Sequence, residues 1–313
     1  MDPLTHTLLG ICIGNAVFRK KVGPRAIPIM GLASNLPDVD ALAHLSGRPE
    51  AILMRRTFGH SMLILPILAL ILSLIFKRFW PNEDLKRLFG MVWLGGLVHV
   101  FFDLVNSFGV VPLWPLSDWR PELGIIFIID LMLTALAALP LLFCMSKKTR
   151  TAIVPASKTA MVLVAAYTLF CGLNRTWALN TLEGQGAASG EADFRYVFPE
   201  PFGPHRWRGV LRNGQNYRVY LIHTLKGHME AHGIVQTHIQ NPKVMLAQES
   251  PLAKRLLWFF KAPVWTVSQH ENDALAKVGV YDLRFRALLI DRPIPFLFEF
   301  QGVPNGRLVE PSQ

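Results

Sequence analysis

Long apolar runs separated by short basic clusters fill about the first 175 residues, and beyond them the pattern changes to short alternating runs broken by Gly, Pro, Asn and Asp. The first run, Met1 to Phe18, predicts a helix with Asp2 as N-cap and Pro3 at the first helical position. A shorter second run, Ala26 to Leu36, meets Pro37, and because proline disfavours helix at the residue before it, Asp38 and Asp40 are expected where a helix breaks. Further helices are predicted over Met62 to Phe76, over 88 to 110, over Leu123 to Met145 with Asp130 inside, and from about Ala160 to Leu173. After Asn174, strands are expected at Arg206 to Leu211, Tyr217 to Ile222, Lys277 to Phe285, Ala287 to Ile290 and Pro295 to Phe300, with one amphipathic helix over Leu252 to Lys261.

The expected architecture is an all-α polytopic membrane domain of about six helices, the second short, over residues 1–176. A linker over 177–190 includes the flexible composition GQGAASG at 184–190, and a smaller β-rich soluble domain follows over 191–313.

Composition supports the division. Half the residues are apolar, 17% are charged, and the mean hydropathy is +0.31, a balance common in membrane proteins and unusual in soluble ones. The net charge of +10 does not imply nucleic acid, because Lys and Arg fall in short clusters between apolar runs. The sharper clusters, at 19–25, 77–87 and 147–158, occupy alternate connections, which the positive-inside rule assigns to the cytoplasm. The N-terminus, the 37–60 and 109–122 loops and the C-terminal domain are then expected outside, in the envelope of a bacterial inner membrane. No basic n-region or small-residue cleavage site marks the start, so it reads as retained. Cys12, Cys144 and Cys171 sit in or beside apolar segments without a CxxC, which argues against a disulfide framework or a zinc ribbon.

Within LGGLVHVFFDLVNSFGV (94–110), His99 and Asp103 are four apart and therefore share one helix face. An uncompensated Asp inside a bilayer costs about 2.5–3.5 kcal/mol on insertion scales, so such a residue needs a partner. On the topology above, His6, Asp38, Asp40, His60, His99, Asp103 and Asp130 all fall in the outer layer, with Asp103 roughly 10 Å from its helix end. His6, Asp38, His60, His99 and Asp103 form a His3Asp2 set suited to Zn²⁺ or Mn²⁺, with room for a water ligand, as in catalytic sites. Asp40 is the expected general base, Asp130 a bridging or supporting carboxylate, and Arg55, Arg56 and Arg120 a candidate anion-binding group. The bland alternatives are caps and turn formers for Asp38 and Asp40, and interfacial anchors for the arginines. No HExxH helix is present. Among the C-terminal histidines, His205, His223, His228, His232, His238 and His270, no second metal site is expected. Gly227 and Gly233 argue against a helix that would pair His228 with His232.

The ordered motifs MDPLTHTLLG at the start, LPDVD at 36–40, FGHS at 58–61, HVFFD at 99–103 and VPLWPLSDWR at 111–120 resemble the YdjM-type family of inner-membrane metal-dependent hydrolases over about residues 1–145. HRWRGV at 205–210 and VYDLRF at 280–285 resemble the extra domain of longer members. The resemblance implies metal ligation by His6, Asp38, His60, His99 and Asp103 and a hydrolytic activity. Gly59 departs from the threonine usual before the histidine. Two functions follow as expectations. One is a hydrolase acting on a lipid or lipid-linked ester or phosphoester in the membrane. The other is a non-catalytic, metal-stabilised membrane protein whose C-terminal domain binds an envelope partner.

Overall fold

The structure is a computed structural model that describes residues 1–46, 51–146, 148–186, 192–268, 277–290, 296–301 and 307–309. The chain divides into two units, one comprising 1–45 and 54–173, the other 46–53 and 174–313.

In the first unit, α1 (Pro3–Ile13) starts as predicted: the Asp2 carboxylate accepts from the Thr5 N–H at 2.9 Å, and Pro3 fills the first position. A π-helical turn, Gly14–Phe18, carries α1 into α2 (Arg19–Val22), and a short turn leads to α3 (Ala26–Ala33). A 3-10 stretch, Leu36–Ser46, follows; α4 (Ala51–Met54) belongs to the other unit except for Met54, and the first unit resumes with a single 3-10 turn Phe58–His60, α5 (Leu65–Phe79) and α6 (Leu85–Val105), the last capped by Asp84. The unit continues through α7 (Leu131–Phe143) and the first part of α8 (Ile153–Gly186). Helices approach closely where glycine allows it. A Cβ on Gly10 would overlap the Met30 carbonyl and the Ser34 side chain, one on Gly14 would lie 2.7 Å from the Ala26 carbonyl, and one on Gly95 would lie 2.8 Å from Ala33 Cβ. Small residues at helix crossings let backbones pack where no hydrophobic effect operates between helices.

Along α5 the buried residues are Leu65, Ala69, Ser73 and Phe76, while the exposed ones include Ile67, Leu70, Ile71, Leu74 and Ile75. The outer face is thus more apolar than the inner one, the reverse of a water-soluble helix. Leu85–Val105 and the helical stretch Arg150–Gly186 are long and apolar enough to cross a membrane. The segment Ala51–His60 with Leu65–Phe79, bent by 75°, makes a third if counted as one span.

In the second unit, β1 (Phe194–Pro199), β2 (Arg206–Asn213), β3 (Asn216–His223) and β4 (His228–Gln236) form an antiparallel sheet in sequential order. The helices α9 (Pro242–Gln248) and α10 (Pro251–Phe259) precede a second antiparallel meander of β5 (Pro263–Ser268), β6 (Lys277–Asp282), β7 (Phe298–Gln301) and β8 (Arg307–Val309). Tyr196, Phe198, Val210 and Tyr217 of the first sheet pack with Val264 and Tyr281 of the second and with Leu283 in the turn after β6. The opposite face of the first sheet packs Val197, Trp207, Leu211 and Ile222 against Ala178 and Leu182 of α8. Burial on both faces explains why β2 is buried continuously rather than in alternation.

The architecture is the expected one, a helical region with apolar helices followed by a β-sheet unit, with several boundaries moved. The fifth helix is short: residues 123–126 are not helical, with the Leu123 and Ile125 N–H groups donating to the Leu104 and Val105 carbonyls, and Asp130 caps α7 instead of lying inside it. The predicted sixth helix continues to Gly186, so 177–186 of the expected linker is helix, while 187–190 lies outside the described residues. Ala287 to Ile290 forms no strand, and β1, β4, β5 and β8 arise where none was predicted. Lys147, His270 and Pro295 also lie outside the described residues.

Candidate metal centre

His99 sits on the buried face of α6 with Asp103 one turn on. Its Nδ1 is 2.6 Å from the Ser34 carbonyl oxygen. A carbonyl can only accept, so Nδ1 carries a proton, and in the neutral ring Nε2 then presents a lone pair. His60 is held in the same way. Its Nδ1 is 3.0 Å from Asp40 Oδ2, an oxygen that also accepts from the Thr57 N–H at 3.0 Å. Gly59 makes the His60 turn possible, since a Cβ there would overlap the Pro37 carbonyl. With both Nδ1 atoms committed, the two Nε2 atoms face each other at 3.2 Å.

Carboxylates join them. Asp103 Oδ2 is 3.1 Å from His60 Nε2 and 3.5 Å from His99 Nε2, and Asp38 Oδ1 is 3.7 Å from His99 Nε2. One donor atom from each of Asp38, His60, His99 and Asp103 lies within 4.8 Å of every other. His6 stacks on His99, with ring centroids 3.6 Å apart, and its Nε2 is 3.2 Å from Asp103 Oδ1. Side-chain exposure is 0–1% for His6, His60, His99 and Asp103, and 17% for Asp38.

The remaining predicted residues divide. Arg56, at a left-handed φ of 59°, is buried. Its Nε is 2.6 Å from Asp103 Oδ2, its Nη1 donates to Asn106 Oδ1 at 2.8 Å, and its guanidinium lies 4.5 Å from the Phe108 ring centre. Arg55 Nη2 is 3.9 Å from Asp38 Oδ1. Arg120 donates to the Phe108 and Arg55 carbonyls at 3.3 and 3.0 Å, bracing the 109–122 loop. Asp130 stands apart from the cluster: it accepts from the Leu133 N–H at 2.8 Å and from the Tyr167 hydroxyl at 2.8 Å. Asp40 is fully buried behind His60, and its Oδ1 has no hydrogen-bond partner among the described residues.

Sequence reasoning missed three participants: the Ser34 carbonyl, Asn106, whose Nδ2 donates to Asp103 Oδ1 at 3.4 Å, and the Met1 amine, which donates to the same oxygen. Only Asn106 left a trace, as a polar residue three positions after Asp103 in an apolar run.

The family model described as YdjM inner membrane protein matches residues 1–178. The chain belongs to the YdjM family. Among proteins similar to this chain, the uncharacterized protein YfhP of Bacillus subtilis is 31% identical over 137 residues, which cover 42% of this chain and 42% of YfhP. The inner membrane protein YbcI of Escherichia coli is 30% identical over 120 residues, 37% of this chain and 69% of YbcI. The match thus spans less than half the length of YfhP. No solved structure matches. Membership fits the apolar outer faces of the helices, and the matched region contains every residue of the cluster.

Proposed function

We propose that this YdjM-family chain is a membrane-embedded, metal-dependent hydrolase acting on a lipid or lipid-linked ester or phosphoester at the outer face of the inner membrane. The observation that carries the reading is the convergence of the His60 and His99 Nε2 atoms, 3.2 Å apart, beside two carboxylates. In neutral imidazoles these two nitrogens offer lone pairs beside the carboxylates, and a His/Asp set of this kind suits Zn²⁺ first and Mn²⁺ second. His60, His99, Asp103 and Asp38 would hold the ion, and His6 would complete the set through Asp103. When bound, such a metal supplies an activated water and polarises a phosphoryl or carbonyl oxygen.

The chain's own residues do the rest. The Ser34 carbonyl and Asp40 fix the tautomers and ring orientations of His99 and His60, as outer partners of metal-binding imidazoles commonly do. Asp40 therefore acts as a positioning residue for His60 in this reading, in place of the general base expected from sequence. Asp38 is the most exposed member, so water and substrate arrive on its side, where Arg55 offers a guanidinium to an anionic group. Arg56 balances the charge of Asp103.

The near-complete burial of three histidines and Asp103 favours a second reading, in which the metal only clamps the helices. Metal analysis of detergent-purified protein, joined to a phospholipid hydrolysis assay in reconstituted vesicles, separates the two. Stoichiometric metal lost in a His99→Ala, Asp103→Ala variant, with turnover lost in parallel, is the expected result. Metal without turnover of any membrane lipid leaves the clamp, and no metal after incubation with Zn²⁺ and Mn²⁺ removes both.

A further inference from the structure

The second unit carries a separate cluster of donors that the hydrolase reading does not use. Strands β3 and β4 are joined through the turn Thr224–Lys226 and Gly227, whose φ of +65° suits a residue without a Cβ. In the antiparallel register His223 lies directly opposite His228, and Glu230 follows His228 by two positions. Side chains two apart on a strand share a face, so His223, His228 and Glu230 project together. The intervening residues confirm the facing: Ile222 and Met229, also partners in register, both join the apolar cluster on the other side of the sheet.

The three side chains already converge. The imidazoles stack with centroids 5.2 Å apart and planes inclined by 23°. His228 Nε2 is 2.9 Å from Glu230 Oε1, and His223 Nε2 is 3.9 Å from the same oxygen. One donor atom from each residue lies within 4.8 Å of the others. Both imidazole Nε2 atoms thus lie within 3.9 Å of a single carboxylate oxygen.

We propose that His223, His228 and Glu230 form a second divalent-metal site, independent of the buried centre, that takes Zn²⁺ or another borderline transition metal. Two imidazole nitrogens and one carboxylate oxygen match the ligand preferences of Zn²⁺, Ni²⁺, Cu²⁺ and Co²⁺ and do not favour Ca²⁺ or Mg²⁺, which require several oxygens. Three protein donors leave at least one position for water or for a donor from another molecule. Binding links the ends of β3 and β4 across their turn and fixes the edge strand of the sheet.

The test is a Co²⁺ titration of the full chain in detergent, followed by visible absorption, with Zn²⁺ content measured after equilibration in buffered metal. Glu230 is 60% exposed, so Glu230→Gln alters no core. It is expected to weaken one Co²⁺ component about ten-fold with unchanged far-UV circular dichroism. His223→Ala with His228→Ala is expected to remove one equivalent of Zn²⁺ and to leave the equivalent that requires His99. Titrations of both variants that superimpose on that of the parent chain would overturn the proposal, as would equal binding of Ca²⁺ and Zn²⁺ at this site.

Discussion

His60 and His99 each reach the buried centre with one ring nitrogen only because the other is occupied, and the two occupying groups differ in kind. Ser34 offers a main-chain carbonyl, which substitution cannot remove, whereas Asp40 offers a side chain. Asp40→Asn is therefore the informative change. It retains the size of the group while removing its charge, and it is expected to weaken metal binding about 10–100-fold, measured by competition with a chelator of known affinity. Gly59→Ala tests the same histidine from the backbone. The added methyl meets the Pro37 carbonyl, so the His60 turn must shift, at a cost of about 1–3 kcal/mol, seen as a lowered melting temperature together with weakened metal binding. At this scale the sequence was most legible where chemistry is periodic. His99 and Asp103 show their shared face through a spacing of four. Asp40 behind His60, and Arg56 on Asp103 at 2.6 Å, depend on contacts between segments that no spacing encodes.

Among the elements, α7 shows how an apolar run misleads. Leu123 to Ile129 has the composition of a helix, yet the N–H groups of Leu123 and Ile125 are used by the carbonyls at the end of α6, and Asn106 bridges to Ile126 in parallel fashion. Tertiary hydrogen bonding outweighs local propensity there. The helix starts only after Asp130, so Asp130→Ala is expected to cost about 1 kcal/mol as a lost cap and to leave metal affinity unchanged, as isothermal titration would show. The crossings of α1, α3 and α6 carry a different expectation. Gly95→Val places branched carbons against Ala33, and overpacking of this kind costs about 1–3 kcal/mol, readable in thermal unfolding of the purified protein. Strand β4 escaped sequence reading for a simple reason: HMEAHGIVQ is an exposed edge with almost no buried residue, so it lacks the alternation that marks a half-buried strand.

Taken as a whole, the molecule has two sets of cores, and each unit is sensitive to its own substitutions. Within the β unit, Arg208 is buried with Glu200, its Nη1 3.3 Å from Glu200 Oε1, and its Nη2 donates to the Arg284 carbonyl at 3.0 Å. Glu200→Gln removes the nearest counter-charge of that buried guanidinium, a loss that typically costs about 3–5 kcal/mol. Differential scanning calorimetry is expected to show a lowered transition for the β unit and an unmoved one for the helical unit. The division into a helical and a β-rich part was legible from hydropathy alone. The burial of the first sheet on both faces was not, because it depends on α8 continuing as one helix to Gly186 beneath strands that lie further along the chain.

The separation of His6 from Asp103 in the chain, 97 residues for two side chains 3.2 Å apart, also has a consequence for biosynthesis. Translation proceeds at about 5–20 residues per second, so roughly 5–20 seconds pass between the appearance of the first histidine and that of the carboxylate that joins it. During that interval the early helices hold imidazoles and Asp38 without the residue on which most of their contacts converge. Assembly is thus ordered by the ribosome, with Asp103 as the closing piece, and nascent chains arrested shortly before it are expected to retain no metal while those arrested well beyond α6 do.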